Sequence, residues 1–336
     1  MIGIDRGLDA IHTSQLGSGE LLAYAPEPAG GLMYVRAPLF STYVHEALGC
    51  FDPRSTAWEE RTLALVDRED RGRFVRAAGF LRRRVRGYLN WQSETDGTWR
   101  FFGRASGLPP DAVTTACAAA ALLESPGRAA RERRARHVEA IERFAAADGL
   151  YHTFLAGGRG YGWWGAGGEP VEGFEPVVNC EVLRFLLLTG ARSASEVEPV
   201  IRYLREQVAG GRPPDGLFTS PLVLAAAVAR TWSQAALPDA EGLAADLVPR
   251  VLAMQDASGG FGGPLATALA VGALLDLGYE GDEVGRGLTA VAGGRLRWGG
   301  WAHDDVVAGG HGSPAWTTAV SIAVLARGRA RLGGDA

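Results

Sequence analysis

Charged and titratable side chains are scarce in the apolar phrases of this chain, so the few that occur there are its candidate chemistry. Asp111 follows Pro109 and Pro110 and opens the phrase AVTTACAAAALL. Asn179 and Glu181 lie in VVNCEVLRFLLL, and Tyr43, His45 and Glu46 in PLFSTYVHEAL. His303, Asp304 and Asp305, with His311, precede WTTAVSIAVLA. Such groups give or take protons, or steady a positive charge. Asp111 after two prolines reads as a helix N-cap. The positive end of the helix then lowers its pKa and leaves it ionised, suited to cation stabilisation or general-base work. Glu181 is the alternative acid if its surroundings raise its pKa. His45 and Asp305 complete the four candidate catalytic residues. The structural alternative is a cap for Asp111, and paired or exposed groups for the others.

Aromatic faces attract cations. Trp163 and Trp164 lie in the glycine-rich stretch Gly157 to Pro170, and Trp316 opens the last apolar phrase. With Tyr43, Thr114 and Asn179 they form the candidate substrate contacts. Paired tryptophans in a glycine-rich loop also suit a lid, and packing at a rim is the simpler alternative. The glycines make no phosphate fingerprint, because no strand–GxGxxG–helix context surrounds them. The His303–Asp305 spacing fits no closed metal site and has no cysteine beside it. Neither a metal nor a cofactor is expected.

These residues are positioned by a repeat. A glycine turn closed by an aromatic reads Asp96-Gly97-Thr98-Trp99, Asp148-Gly149-Leu150-Tyr151 and Asp215-Gly216-Leu217-Phe218. It returns as Ser258-Gly259-Gly260-Phe261 and Gly299-Gly300-Trp301. After each comes a helical phrase of small apolar residues, and a helix apolar on nearly all sides is buried on nearly all sides. Between them lie longer charged helices, Arg71–Trp91, Ala129–Ala146, Ala194–Val208, Glu241–Met254 and Asp282–Ala292. About six inner and six outer helices predict an all-α fold, an α6/α6 toroid in which the ring removes exposed ends. An open HEAT-like solenoid is the alternative. The turn glycines supply φ > 0, the aromatics pack back between repeats, and Gln92 and Gln255 are placed to cap helix carbonyls. No linker divides the chain, so residues 1–336 are expected to be one domain, with repeats over about 38–328.

The chain has 336 residues, a net charge of -4, and arginine as its only basic residue besides histidine. That balance gives no case for nucleic acid. The arginine clusters at Arg82–Arg86 and Arg131–Arg136 read as solvated faces of outer helices. Cys50, Cys117 and Cys180 form no CxxC pair and read as buried thiols of a reducing compartment. Asp5, Arg6 and Asp9 rule out a signal peptide at the N-terminus, and no apolar run spans a membrane. A cytoplasmic location follows as the expectation, with shallow peripheral membrane contact still compatible.

Glutamine, a glycine turn and an aromatic together resemble the QW-type repeat of the squalene-hopene cyclase and protein prenyltransferase superfamily. Pro109 to Ala116 is similar to the region holding the DxDD-T-A motif of class II terpene cyclases, and Ser313 to Ala319 resembles the last inner helix of that group. The resemblance implies an α6/α6 barrel whose central cavity takes an apolar, isoprenoid-derived substrate and cyclises or isomerises it. Asp111 matches the first Asp of the motif, but Val113 stands at the middle, proton-donating one and Thr114 at the last. The implied activity is therefore an atypical class II cyclase or isomerase. The alternatives are a non-catalytic barrel that binds a hydrophobic ligand, and a filled helical scaffold for protein partners. The zinc set of the prenyltransferases does not map here, and Asp304-Asp305 lacks the third carboxylate of DDxxD. Oligomeric state is not legible.

Overall fold

A computed structural model describes residues 2–27, 31–53, 55, 60–63, 68–123, 128–156, 159–164, 170–210, 216–307 and 310–332. Side-chain surroundings are further limited to residues outside 25–33, 56–61, 64–70, 124–131 and 163–171 and the chain ends. Among the described residues, twelve α-helices alternate in chain order. The outer set is α1 (Ile2–Ser14), α3 (Arg68–Gln92), α5 (Arg128–Glu142), α7 (Glu198–Gly210), α9 (Ala240–Leu252) and α11 (Asp282–Gly293). The inner set is α2 (Pro38–Ala47), α4 (Ala112–Leu123), α6 (Pro176–Leu188), α8 (Pro221–Ala235), α10 (Pro264–Asp276) and α12 (Pro314–Leu332). Each inner helix packs on the next, and α12 packs on α2. The fold is the predicted α6/α6 toroid, and the α12–α2 contact closes it.

Composition explains which helices go inside. The described residues of α10 are buried from Leu265 to Leu275, and α4 from Ala112 to Ala119. Five inner helices begin with proline, at Pro38, Pro176, Pro221, Pro264 and Pro314. Proline fits there because the first turn has no intrahelical partner for its N–H. The sixth outer helix is α1, which the turn pattern did not announce; it packs on α12 and α3.

One device joins four of the five turns to the inner helix after them. The amide of the turn aromatic donates to a polar side chain in the first turns of that helix. Trp99 donates to Thr115 Oγ1 at 3.0 Å, Tyr151 to Asn179 Oδ1 at 2.8 Å, Phe261 to Thr267 Oγ1 at 3.0 Å and Trp301 to Thr318 Oγ1 at 3.1 Å. The Trp99 and Trp301 indoles also donate back to Leu89 and Val291 carbonyls of the preceding outer helix, at 2.8 and 2.7 Å. Gln255 Nε2 donates to the Gly259 and Glu283 carbonyls at 3.1 and 2.9 Å, tying α9's end to α11. Gln92 does otherwise: its Oε1 accepts from the Arg104 amide at 3.0 Å.

The turn glycines Gly97, Gly149, Gly259 and Gly299 lie against the following outer helix. Gly299, with φ +99°, packs on Arg6 of α1, so the last turn closes the outer ring. Three antiparallel pairs, β1 (Ala23–Glu27) with β2 (Gly31–Val35), β3 (Phe154–Ala156) with β4 (Arg159–Tyr161), and β5 (Trp163–Trp164) with β6 (Pro170–Val171), decorate the ring. Their shortness hid them from a period-2 reading.

The arginine face of α3 departs from expectation at one position. Arg82 is fully buried and donates to the His45 carbonyl at 3.0 Å, Asp52 Oδ2 at 2.5 Å and Ser55 Oγ at 3.0 Å. It points inward because the end of α2 and the chain after it offer three acceptors together, the His45 carbonyl, Asp52 and Ser55. Cys50, Cys117 and Cys180 are buried and unbridged. No helix among the described residues is long and apolar enough to cross a membrane.

A Cβ at Gly299 would meet Arg6 Cβ at 2.7 Å and its carbonyl oxygen at 2.8 Å, whereas one at Gly285 inside α11 meets nothing within 4 Å. Gly299→Ala therefore lowers unfolding free energy by about 2 kcal/mol through strain at positive φ. Gly285→Ala raises it by about 1 kcal/mol through helix propensity. Urea titration of both variants measures the two opposite signs.

Candidate functional site

All six inner helices run in the same sense through the alternating pattern, so the ring has an N-terminal end, which carries the turns, and a C-terminal end. The larger cavity, about 380 Å³, occupies the centre toward the C-terminal end. Its closed end is Trp316 and Tyr43, 3% and 5% exposed and stacked at 4.8 Å between ring centroids. Its walls are small and apolar, among them Val223, Ala227, Leu269, Val320 and Val324. Gly272 keeps α10 thin where it faces the cavity. A smaller cavity of about 160 Å³ lies beside it, lined by His45, Cys117, Arg184 and Thr189 among others, and Glu46 and Gln234 border both.

Four charged side chains meet between the two spaces. Arg184 of α6 holds Glu46 of α2 at 2.8 Å and Glu181 of its own helix at 2.9 Å. Arg230 of α8 meets Glu46 at 3.2 Å and pairs closely with Glu181. Glu181 is 1% exposed and Arg184 6%. Burial pushes the Glu181 pKa up, but Arg230 and Arg184 pull it down further, and the carboxyl is held below its ordinary value. Its surroundings therefore do not raise the pKa as a proton donor would need. At the outer end of the cavity Asp276 of α10 pairs with Arg327 of α12.

Asp111 belongs to the other end. Its Oδ1 caps α4 by accepting from the Thr114 amide at 2.7 Å, as the two prolines foretold. Its pKa moves against expectation. Burial raises it to about 7, outweighing the Thr114 and Phe101 groups that favour the anion. The carboxyl is wholly buried, and Oδ2 has no partner at hydrogen-bonding geometry. Desolvation exceeds the cap's field because no opposite charge is near. Asp111 and Thr114 are not among the lining residues of either cavity.

The remaining candidates divide clearly. Asn179 is used structurally: beyond the Tyr151 amide, its Nδ2 donates to the carbonyls of Tyr151 at 2.9 Å and Glu175 at 3.1 Å. His45 lines the smaller cavity, where Arg86 lies 3.1 Å from its Nε2. Burial, then Arg82 and Arg86, hold its pKa well below the ordinary imidazole value, so it is neutral. Asp305 is exposed, 3.8 Å from His303 Nε2. Its neighbour Asp304 instead caps α10, accepting from the Ala266 amide at 2.9 Å. Trp163 and Trp164 form strand β5, but their side chains lie outside the described residues. No group of three or more His, Cys, Asp or Glu among the described residues is placed to hold a metal ion.

The structure thus brings Tyr43, Glu181 and Trp316 to one cavity, with His45 beside it, and leaves Asp111, Thr114, Asn179 and Asp305 elsewhere. Sequence reasoning missed Arg184 and Arg230. Both stand inside apolar helical phrases, and a lone arginine there is a signal for a buried ion partner. A run of rings leads from the cavity toward Asp111: Trp316 to Phe40 at 5.5 Å, Phe40 to Phe101 at 6.0 Å and Phe101 to Phe102 at 4.6 Å.

No family profile matches the chain, and no curated protein matches it. Solved structures do. Type II terpene cyclase MstE from Scytonema is 14% identical over 96% of this chain and 96% of its own, at TM-score 0.67. The ent-copalyl diphosphate synthase from Streptomyces platensis is 18% identical over 87% of this chain and 50% of its own, at TM-score 0.59. An unsaturated glucuronyl hydrolase specific for heparin is 10% identical over 99% of this chain and 96% of its own, at TM-score 0.61. The chain therefore has a terpene cyclase-like α/α toroid fold.

Two stability measurements test the electrostatics. With a raised native pKa, Asp111 binds its proton more tightly folded than unfolded. Its contribution is complete below about pH 4 and is lost as pH rises toward 7. Asp111→Asn keeps the cap, so its stability relative to wild type improves from pH 5 to pH 8 in urea titrations. Glu181 has the opposite sign, its stabilisation being lost as pH falls. Glu181→Gln leaves two guanidiniums facing one carboxylate and costs about 3 kcal/mol at neutral pH in the same assay.

Proposed function

We propose that this chain, as one domain over residues 1–336, is an atypical class II-type terpene cyclase or isomerase. It takes an apolar, isoprenoid-derived molecule into the central cavity. The observation that carries the reading is the cavity itself: small apolar walls, closed by the Tyr43–Trp316 stack, in a ring with a cyclase-like fold. Its volume lies within the ~300–1,000 Å³ of small-molecule pockets. The MstE structures include one with geranylgeranyl dihydroxybenzoate as substrate and one with merosterolic acid A as product. That precedent supports an isoprenoid ligand here.

In such a reaction a carboxylic acid gives its proton to a C=C bond, the resulting carbocation closes a ring or shifts, and loss of a proton yields an isomer of the substrate. Asp111 suits the donor role, since it retains its proton to about pH 7 and its Oδ2 is unpartnered. The packed rings of Trp316, Phe40 and Phe101 stand between the cavity and Asp111 and would have to part for substrate to reach it. The faces of Trp316 and Tyr43 and the carboxylate of Glu181 suit stabilisation of the cation. The protein would act in the cytoplasm.

A second reading, a non-catalytic barrel binding a hydrophobic ligand, is favoured by one observation. Asp111 does not line the cavity, and Glu181, which does, is held ionised. Incubation with prenyl diphosphates, polyprenols and prenylated aromatic acids, followed by mass spectrometry, separates the readings. The enzyme yields an isomer of unchanged mass from at least one substrate, and Asp111→Asn slows it by about 100-fold or more. A retained apolar ligand in native mass spectrometry, without turnover of any substrate, selects the binding barrel. An empty protein that neither binds nor converts these compounds rejects both.

A further inference from the structure

The charges lining the larger cavity limit what can enter it. Among the described residues these are Glu46, Glu181 and Asp276 against Arg230 and Arg327, a formal charge of -1. Arg184, behind the wall, brings the group to neutrality. Each of these cations is already engaged. Arg230 lies on both glutamates, Arg327 on Asp276, and Arg184 on Glu46 and Glu181. A diphosphate or carboxylate entering here would meet no uncommitted guanidinium and three carboxylates. To bind, it would have to break a buried ion pair and leave a carboxylate without its partner, which is strongly unfavourable.

The closed end of the cavity offers an uncommitted donor. Tyr43 Oη is buried and has no hydrogen-bond partner, although the Tyr43 ring lines the cavity. Burial raises its pKa well above the ordinary value, and Glu181 and Glu46 push it up further against Arg230. A buried hydroxyl without a partner is costly, and a ligand oxygen would remove that cost. An anionic oxygen is opposed by the two glutamates beside it, whereas a neutral one is not.

We infer that the cavity selects an uncharged isoprenoid carrying one hydrogen-bond-accepting oxygen, an alcohol or ketone, which Tyr43 Oη recognises, and discriminates against prenyl diphosphates. This rests on the isoprenoid reading above and narrows it. The small walls hold the hydrocarbon chain, and the Tyr43 hydroxyl sets the position of the oxygen near the closed end. Glu46 and Glu181 act as the filter against anions.

Equilibrium dialysis of the full-length protein against farnesol, farnesene and farnesyl diphosphate tests this without any variant. Farnesol binds about tenfold more tightly than farnesene, the value of one buried hydrogen bond. Farnesyl diphosphate binds more weakly than farnesol at both low and high salt. Tyr43→Phe, which keeps the ring stack, brings farnesol and farnesene to equal affinity, and Glu46→Gln strengthens diphosphate binding. Diphosphate binding as tight as farnesol overturns the inference and leaves the isoprenoid reading standing, as does equal affinity for farnesol and farnesene in the wild type. Binding of none of the three overturns both.

Discussion

Six helices of small side chains can surround one axis only if something fixes the height and rotation of each. For four of them, the amide of the turn aromatic, donated to a hydroxyl or carboxamide on the next inner helix, supplies this. It recurs at Trp99–Thr115, Tyr151–Asn179, Phe261–Thr267 and Trp301–Thr318. Each bond is buried, so losing its acceptor would strand an N–H at about 1–3 kcal/mol. The layer at the N-terminal ends of the inner helices is thereby committed to holding the ring together. Asp111 and Asn179 sit in that layer, and Asn179 has its hydrogen bonds spent on it. Space is left at the other end, where no such layer exists and both cavities lie.

The charged group between the cavities depends on the same economy of size. Glu46 is on α2 and Arg184 on α6, with α4 between them in the ring. The C-terminal half of α4 presents Cys117, Ala120 and Ala121, side chains too short to fill the gap. An alanine-rich helix thus lets charges from three other helices meet. An isolated buried charge costs several kcal/mol, and pairing recovers this only when every member is matched. Two carboxylates against two guanidiniums meet that condition, and the result links α2, α6 and α8.

The fold was legible because it repeats. Glycine turns, small-residue phrases and charged outer helices each recur, and agreement between independent repeats outweighs the ambiguity of any one. Helix α1 was not legible, because it precedes the first aromatic-closed turn, and its role is visible only where Gly299 meets Arg6 across the closed ring. The N1 prolines were a readable signal that the turn pattern overshadowed. The site was half legible. Tyr43, Glu181 and Trp316 stood out as polar or aromatic groups in apolar phrases, and they share a cavity. Arg184 and Arg230 carry the same signal, a charge inside an apolar helix, and were not singled out. The direction of Asp111's pKa was not legible, because a cap's field is local in sequence whereas desolvation depends on the whole fold.

The ring itself does not choose a chemistry, since a cyclase and a glucuronyl hydrolase both superpose on it. The lining does. A sugar brings a hydroxyl on nearly every carbon, and each one buried without a partner costs about 1–3 kcal/mol. The walls of this cavity are mostly alanine, valine, leucine and glycine, and its charged lining, Glu46, Glu181, Arg230, Asp276 and Arg327, is already committed to ion pairs. A hydrocarbon chain asks for nothing there and gains roughly 25 cal/mol for each Å² of apolar surface removed from water. On these magnitudes the apolar stretch of the lining suits a hydrocarbon chain better than a saccharide.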